Sequence, residues 1–331
     1  MRRMTSIATR CFLTVLAAAA FLAFTPRGAR ADDKILNVLF IGNSYTARHR
    51  LAQLVEAMAE EGNPGLDLRP TTVIYGGRRL VDHWRLGTAN YVRLHELTVE
   101  EEKATIASLE AQVKADPKDK YARAAVRRHS RLLKSLGKPQ PKWDVVMLQS
   151  YRDDLKGDAS LYVEYAPKFA KLIKAQGARV ILYETTPRTQ NAKALTAPPK
   201  PEPVLQKTRS IAKLANRIDA AVAPMSLIAL RCQTERPDFT LRFVNDSHLN
   251  QTMAYLTACA LYAALFDRSP VGLKLSEVTD IRFLAKDQRD KDRDGGPITR
   301  VFSDEDRAAL QRVAWAGCQQ FRKIRAEVAD K

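Results

Sequence analysis

Short apolar runs alternate with amphipathic blocks along the chain, and this alternation predicts strands and helices in turn. Apolar runs that end at turn residues are typical of buried parallel strands, and they occur at 35–42, 68–77, 143–150, 178–187 and 220–226. Apolar residues at helical spacing predict helices at 47–62, 170–177, 204–219 and 251–266. This order predicts an α/β protein with three layers, α/β/α, around a mainly parallel, doubly wound sheet.

A charge-dense segment at 98–138 interrupts the alternation between the second and third predicted strands. Leucine and isoleucine recur in it at helical spacing, while Asp116-Pro117 breaks the pattern in its middle. The segment therefore predicts a helical hairpin inserted over one edge of the sheet. Its charges have two interpretations, either a solvated face or part of a cap that helps to select a substrate.

The residues at 271–331 predict a C-terminal extension made of a polar loop and one helix, which opens on a capping-box pattern at Ser303 and Asp306. The loop contains the sequence DKDRDG at 290–295, which matches the start of a calcium-binding loop. Val301 occupies the position where such a loop needs a bidentate glutamate. We interpret the loop as a solvated turn, and a cation-dependent scaffold is the alternative.

The first residues of the chain have the pattern of an export signal. Basic residues come first, an apolar run follows at 11–24, and residues 29–31, Ala-Arg-Ala, fit a cleavage site. The sequence therefore predicts a signal peptide at 1–31 and one mature domain at 32–331, with an uncleaved anchor as the alternative. No later run of 18 uncharged apolar residues occurs, so we expect an exported, periplasmic or extracellular protein without stable membrane insertion after cleavage.

The chain is strongly basic, with a formal net charge of +17, and loss of the five arginines of the predicted signal would leave +12. A basic surface suits nucleic acid, anionic lipid or acidic polysaccharide. The sequence contains neither a zinc-finger nor an RNP-type motif, so we expect no nucleic-acid partner. For an exported protein, an acidic polysaccharide is the favoured partner.

Cysteine usage predicts neither a disulfide framework nor a metal site. Cys11 lies in the predicted signal, and the three that remain, Cys232, Cys259 and Cys318, allow at most one disulfide. Cys259 and Cys318 fall on the apolar sides of predicted helices, so we expect buried free thiols there. There is no CxxC pair and no zinc spacing, and no cofactor is predicted.

Candidate chemistry begins with Ser44, which follows the first predicted strand in the sequence IGNSYT. A serine at this place is either a cap of the next helix or a nucleophile at the carboxyl edge of the sheet. His248 lies just before the helix at 251–266, two positions after Asp246. A histidine near a carboxylate is a candidate general base, and a surface or capping histidine is the alternative.

Two further strand ends carry groups that can donate hydrogen bonds. Gly76 and Gly77 follow the second predicted strand, and their missing side chains let backbone amides approach a reacting oxygen. Gln149 ends the third strand with a side-chain amide. A tight turn and a local backbone contact are the alternatives. The ends of parallel strands meet at one edge of a sheet, so these groups can converge with Ser44 and His248.

The order IGNSYT, YGGRRL, LQS and NDSHLN resembles the blocks of the SGNH (GDSL-like) hydrolase superfamily, in its extracellular variant with G-N-S in place of G-D-S. The resemblance spans about 35–270, and its first and last blocks are the specific ones. It implies a flavodoxin-like α/β/α fold and a serine esterase activity that needs no cofactor.

The resemblance also implies roles for single residues. Ser44 matches the nucleophile, whose backbone N–H contributes to the oxyanion hole, and Gly77 matches a second backbone donor. Gln149 occupies the region where the family usually has an asparagine side chain as a third donor. His248 matches the general base.

The acid of the catalytic group departs from the family pattern. The D-x-x-H spacing places Asn245 where the family has an aspartate, and Asp246 is the next residue. Asp246, Asn245 or a backbone carbonyl would then orient His248, or the enzyme is impaired. We predict Asp246.

The sequence thus predicts an exported serine esterase that acts on a small-molecule or glycan ester, such as an acetylated carbohydrate. A catalytically impaired carbohydrate- or surface-binding protein with the same fold is the alternative. Tyr75, Trp84 and Tyr151 are candidates for stacking on a sugar ring, and packing in the core or at the rim is their ordinary role.

Overall fold

The computed structural model describes residues 34–150, 160–185 and 190–329. The predicted signal peptide, Cys11, Tyr151 and the predicted end of the fourth strand lie outside these ranges. The strands are β1 (Lys34–Gly42), β2 (Leu66–Ile74), β3 (Val145–Gln149), β4 (Arg179–Glu184), β5 (Ala221–Pro224), β6 (Glu277–Thr279) and β7 (Thr299–Val301). The helices are α1 (Ser44–Ala47), α2 (Leu51–Gly62), α3 (Leu80–Arg85), α4 (Thr88–Val92), α5 (Val99–Ala115), α6 (Lys120–Ser135), α7 (Leu161–Ala175), α8 (Glu202–Ile218), α9 (Met225–Glu235), α10 (Gln251–Phe266) and α11 (Asp304–Ala329).

The central sheet is parallel and has the strand order β2-β1-β3-β4-β5. The predicted fold class is confirmed, and this order is the flavodoxin-like one. In such sheets ligands bind beyond the carboxyl ends of the strands, at the point where the winding reverses, between β1 and β3. Residues that follow β1, β2 and β3 therefore occupy the usual place of a binding site.

Helices cover both faces of the sheet, which explains the apolar runs of the central strands. Val38 and Phe40 point to a core that includes α2 and α10, whereas Leu39 and Ile41 point to a core that includes α7 and α8. All five residues of β3 are buried. Helix α10 is buried almost all round, as a helix with apolar residues on every side requires.

The predicted helix at 47–62 is wrong at its start, because the chain turns there. A 3₁₀ turn at Arg48–Arg50 separates α1 from α2, and His49 and Arg50 have φ angles of 58° and 49°. A left-handed backbone is unfavourable for residues with a Cβ, so other contacts must hold it. The side chains of Arg48 and His49 are buried and hydrogen-bonded to distant parts of the chain. A periodic apolar pattern contains no information about such a turn.

Helices α5 and α6 occupy the segment predicted to be a helical insertion and form a hairpin. Thr98 and Glu101 form a capping box at the start of α5, and Asp119 caps α6. Buried side chains such as Leu109 and Leu132 join the core on the side of α7 and α8. The hairpin is thus packed on the domain and places the first turn of α6 beside the end of β2, where Tyr121 contacts Gly76.

The segment after 270 forms β6, β7 and α11, and Ser303 accepts a hydrogen bond from the N–H of Asp306 at 3.1 Å. The antiparallel pair β6–β7 and the short helices α3, α4 and α9 have no clear sequence pattern and were not predicted. Cys259 and Cys318 are buried free thiols, as predicted, and so is Cys232. Within the described residues no helix has both the length and the apolarity to cross a membrane.

Candidate active site

The turn that carries Ser44 is held by Asn43, which is completely buried. Its side-chain oxygen accepts from the N–H of Tyr45 at 3.0 Å and its amide donates to the carbonyl of Arg78 at 3.0 Å. Its own N–H donates to the side-chain oxygen of Gln149 at 2.8 Å. Asn43 therefore caps α1 and joins the ends of β1, β2 and β3, so the Ser44 hydroxyl is not the cap.

Gly42 and His83 fix the end of β1 just before this turn. A Cβ on Gly42 would lie 2.3 Å from the Thr46 hydroxyl and 2.7 Å from the Gln149 side-chain oxygen, so only glycine fits. Burial lowers the pKa of His83 to about 4, which keeps its imidazole neutral. Its Nε2–H donates to the Gly42 carbonyl at 2.9 Å, and its Nδ1 accepts from the hydroxyl of Thr88 at 3.1 Å. Sequence reasoning missed His83.

The side chains of Ser44, His248 and Asp246 form a chain of hydrogen bonds. His248 Nε2 lies 2.9 Å from the Ser44 hydroxyl oxygen, and His248 Nδ1 is hydrogen-bonded to the Asp246 carboxylate. The same carboxylate accepts from the backbone N–H of His248 at 3.2 Å, a local turn that fixes its position. The imidazole remains 27% exposed, so it can be reached from solvent.

The protonation of this chain follows from the charge of Asp246. Burial raises the pKa of Asp246, but hydrogen bonds from His248 and Arg48 lower it further, to about 2. An ionised carboxylate only accepts hydrogen bonds, so the proton of the neutral imidazole is on Nδ1. Nε2 then has its lone pair directed at the Ser44 hydroxyl, which is the tautomer that a general base needs.

Asp246 and Asn245 have different surroundings, although they are neighbours. Asp246 contacts the imidazole of His248, whereas the contact of Asn245 is through its backbone N–H, which donates to Asp294 at 2.8 Å. Asp294 also accepts from the N–H of Val244 at 2.7 Å. The structure therefore brings Asp246, the residue predicted from the sequence, to His248, and not the alternative Asn245.

A buried ion pair lies behind Asp246. Arg48 donates to the second oxygen of Asp246 at 2.8 Å and makes a two-pronged contact with Asp280. The side chain of Arg48 is 2% exposed and that of Asp280 is 0% exposed. The C-terminal extension thus contributes a carboxylate to the site. Sequence reasoning missed both residues, and nothing in the sequence links two positions so far apart.

Replacing Arg48 with methionine should lower the free energy of unfolding by about 3–5 kcal/mol, because it leaves the buried carboxylate of Asp280 unpaired. Urea unfolding followed by circular dichroism measures this change. Arg293→Met is the matched control, since Arg293 is 38% exposed and its Nε lies 3.8 Å from Asp246. We expect a loss of about 0–1 kcal/mol in that variant.

The double variant Arg48→Met with Asp280→Asn should regain part of the loss, because the uncompensated buried charge is then removed. A loss of stability of the same size in the Arg48 and Arg293 variants would contradict the importance of the buried pair. So would a double variant that is less stable than Arg48→Met alone.

Gly77 lies in the turn after β2, with a φ of 66° that favours glycine. The carbonyl of Gly76 accepts from the Tyr121 hydroxyl at 2.8 Å, so α6 holds this turn from outside. A Cβ on either glycine would meet no atom within 4 Å, so the space over the turn is open. Within the described residues, the backbone N–H groups of Ser44 and Gly77 donate to no other group.

Gln149 is buried at the end of β3, beneath the Ser44 turn. Its side-chain oxygen accepts from the N–H of Asn43 and from the hydroxyl of Thr46 at 3.1 Å. Its NH₂ group donates one hydrogen bond, to the carbonyl of Ser150. An NH₂ group has two hydrogens, so one of them has no partner among the described residues.

Other predicted residues pack within the protein. Tyr75 is 3% exposed, with its ring 5.2 Å from that of His83, and Trp84 packs edge-on against Phe169 at 5.2 Å. Tyr75 is therefore not available for stacking on a ligand, Trp84 is half-buried, and Tyr151 lies outside the described ranges.

The loop at 290–295 is held by hydrogen bonds to its own carboxylates. Asp292 accepts from the N–H groups of Asp294 and Gly296 at 2.9 and 3.0 Å, and Asp294 holds the segment before Asp246. In the part of the chain that the structure describes, no group of three His, Cys, Asp or Glu is arranged to hold a metal ion. The loop therefore supports the segment that carries Asp246, because Asp294 accepts hydrogen bonds from two backbone N–H groups of that segment.

No family model and no curated protein sequence matches the chain, but solved structures do. A DUF4886 family protein from Bacteroides uniformis ATCC 8492 is 16% identical, with a TM-score of 0.50 over 86% of this chain and 95% of that one. A proposed SGNH hydrolase from Slackia heliotrinireducens is 17% identical, with a TM-score of 0.41 over 70% and 100%. TesA is 13% identical, with a TM-score of 0.38 over 70% and 98%. The first of these likenesses shows a shared fold, so the chemistry of this chain is inferred from its own site.

Proposed function

We propose that the protein is a serine hydrolase that cleaves carboxylic esters. The observation that carries this proposal is the contact of 2.9 Å between the Ser44 hydroxyl and His248 Nε2, with Asp246 on the opposite ring nitrogen. A Ser-His-Asp group is recognised by this geometry and not by the order or spacing of its members. The resemblance of the four sequence blocks to SGNH hydrolases supports the same reading.

The reaction follows from the positions of the atoms. Ser44 Oγ attacks the acyl carbon while His248 Nε2 takes the hydroxyl proton, and the ionised Asp246 stabilises the imidazolium. The imidazolium then returns its proton to the leaving alcohol, which gives an acyl group on Ser44. Water, activated by the same imidazole, attacks the acyl group and releases the carboxylic acid and free Ser44.

The negative charge that develops on the carbonyl oxygen needs fixed donors. The backbone N–H groups of Ser44 and Gly77 have no other partner in the described chain, and Gln149 has one uncommitted N–H. We assign these three groups to the oxyanion hole. Such donors act without reorganisation, and each typically lowers the barrier by about 3–4 kcal/mol.

The proposed substrates are small acyl esters, with acetylated carbohydrates as the first class to test. The signal-like sequence at 1–31 supports action outside the cytoplasm, in the periplasm or medium. The alternative, a binding protein that has lost the acid, rests on Asn245 at the family position. The contact between Asp246 and His248 favours the hydrolase.

Covalent labelling by a fluorophosphonate probe tests the proposal. We expect one adduct, on the peptide that contains Ser44, together with loss of aryl-ester hydrolysis in proportion to labelling. Heat-unfolded protein is the control and should not react, because an isolated serine hydroxyl is a weak nucleophile. Glycan binding by a protein that takes no label would support the binding protein instead.

A further inference from the structure

Arg78 stands next to the proposed oxyanion turn. It follows Gly77 directly, and its carbonyl accepts the hydrogen bond from the Asn43 side chain at 3.0 Å. Asn43 precedes Ser44, so the backbone of Arg78 is one contact away from the turn that carries the nucleophile. Its side chain therefore starts from the turn that carries the proposed oxyanion donor Gly77.

The guanidinium of Arg78 has neither a hydrogen-bond nor an ion-pair partner within the described residues. Its Nε is buried without a hydrogen bond, and it makes no ion pair there. Two arginines that follow closely differ, since Arg79 pairs with Asp82 at 3.4 Å and Arg85 with Asp119 at 2.9 Å. A buried donor without an acceptor costs free energy, so its retention beside a reactive group points to a ligand.

The Arg78 side chain is held in place before any ligand arrives. Its guanidinium carbon lies 4.3 Å from the centre of the Tyr121 ring, and the hydroxyl of Tyr121 is bonded to Gly76. Stacking on an aromatic face fixes the plane of the guanidinium and leaves its edge free to donate. The inserted hairpin thus supplies the ring that orients this cation.

The space over the two glycines before Arg78 is open. A Cβ on Gly76 or Gly77 would meet nothing within 4 Å, and Gly76 is exposed. A second cation is fixed on the same side, where Arg128 donates to the carbonyl of Ile74 at 3.1 Å and lies over the Tyr75 ring. Two guanidinium groups therefore lie at the end of β2, in a chain whose formal net charge is +17.

We propose that Arg78 forms an anion subsite that binds a carboxylate on the part of the substrate that does not react. The preferred substrates are then esters of carboxylate-bearing molecules, such as acylated acidic sugars. A guanidinium binds a carboxylate through two parallel hydrogen bonds, which positions as well as attracts it. This inference rests on the proposed esterase function and adds the substrate class.

A matched pair of esters tests the subsite. The substrates 4-acetoxybenzoate and methyl 4-acetoxybenzoate share the acetyl group and the ring and differ in the carboxylate. We expect kcat/KM of the wild type to favour the anionic ester. In Arg78→Gln the ratio of kcat/KM for the anionic ester to that for the neutral ester should fall about 10- to 100-fold, the range that hydrogen bonds to a charged group supply.

Two further variants separate specific contact from general charge. Arg78→Lys keeps the positive charge but lacks the paired N–H donors of a guanidinium, so it should retain only part of the preference for the anionic ester. Arg127→Gln removes the same charge from an exposed position of α6 and should retain all of it. Equal kcat/KM values of the wild type for the two esters would overturn the subsite. An equal fall of the preference in Arg78→Gln and Arg127→Gln would also overturn it.

Failure of the esterase proposal gives a different result. The wild type would then hydrolyse neither ester, and calorimetric titration with 4-acetoxybenzoate would decide the subsite alone. Binding that is present in the wild type and weakened in Arg78→Gln supports the anion site without the reaction. Binding that is absent, or equal in the two proteins, refutes it.

Discussion

Replacing Ser44 with alanine should lower kcat for an aryl ester about 10⁶-fold, the loss that follows removal of the nucleophile in a serine protease. The side chain of Ser44 contacts His248 and does not cap α1, so the folded state should keep its stability. Initial rates measured with 4-nitrophenyl acetate, corrected for hydrolysis in buffer, give the loss in kcat.

Ser247→Ala is the matched control for this result, since Ser247 also adjoins the imidazole in sequence and has no side-chain role in the proposed reaction. Its kcat should equal that of the wild type. If Ser44→Ala hydrolysed the ester at the wild-type rate and unfolded at the wild-type temperature, a mechanism through this serine would be excluded.

The strands that carry the site could be predicted because burial on both faces leaves a plain signal. The second half of β1, at 38–41, and the first four residues of β3 are apolar runs, and Ser44 and Gln149 lie where these runs end, at the carboxyl edge of the sheet. The placement of Ser44 and Gln149 at that edge follows from this pattern together with the parallel order. The fold could therefore be predicted without knowing which side chains contact each other within the site.

The electrostatic support of the site could not be predicted in the same way. Arg48 lies within a segment that has a helical sequence pattern, but the residues after it have a left-handed backbone. Contacts with distant parts of the chain hold that backbone in place. Asp280 lies in an extension with short strands and no periodic signal. A pair separated by 232 positions is formed by the tertiary fold, and one sequence contains no trace of it.

The sequence predicts Asp246 as the acid, although spacing and chemistry disagree on this residue. The family spacing favours Asn245, and the need for a carboxylate favours Asp246. Backbone geometry decides between them, since the turn at His248 brings the side chain two positions upstream onto Nδ1. The other backbone N–H groups of this segment are held by Asp294, which fixes the turn from the side of the loop at 290–295.

Asp246→Asn should lower kcat about 10⁴-fold, as the corresponding change does in a serine-protease triad. A side-chain amide at this position can donate a hydrogen bond to Nδ1, and the imidazole proton then moves to Nε2. In that tautomer Nε2 has no lone pair with which to accept the Ser44 proton. Steady-state rates with 4-nitrophenyl acetate measure the effect. Asn245→Ala is the control and should retain wild-type kcat, because the contact of Asn245 is through its backbone N–H.

The pH dependence separates this loss from simple protonation of the acid. Because the pKa of Asp246 is lowered to about 2, its carboxylate is ionised above that pH and is lost only as the pH falls through about 2. Wild-type activity between pH 5 and 9 should therefore show no step from Asp246, whereas Asp246→Asn should be impaired throughout that range. A large loss in the Asn245 variant with near-normal rates in the Asp246 variant would move the acid to the family position, and Asp246 would then act only as a partner of Arg48.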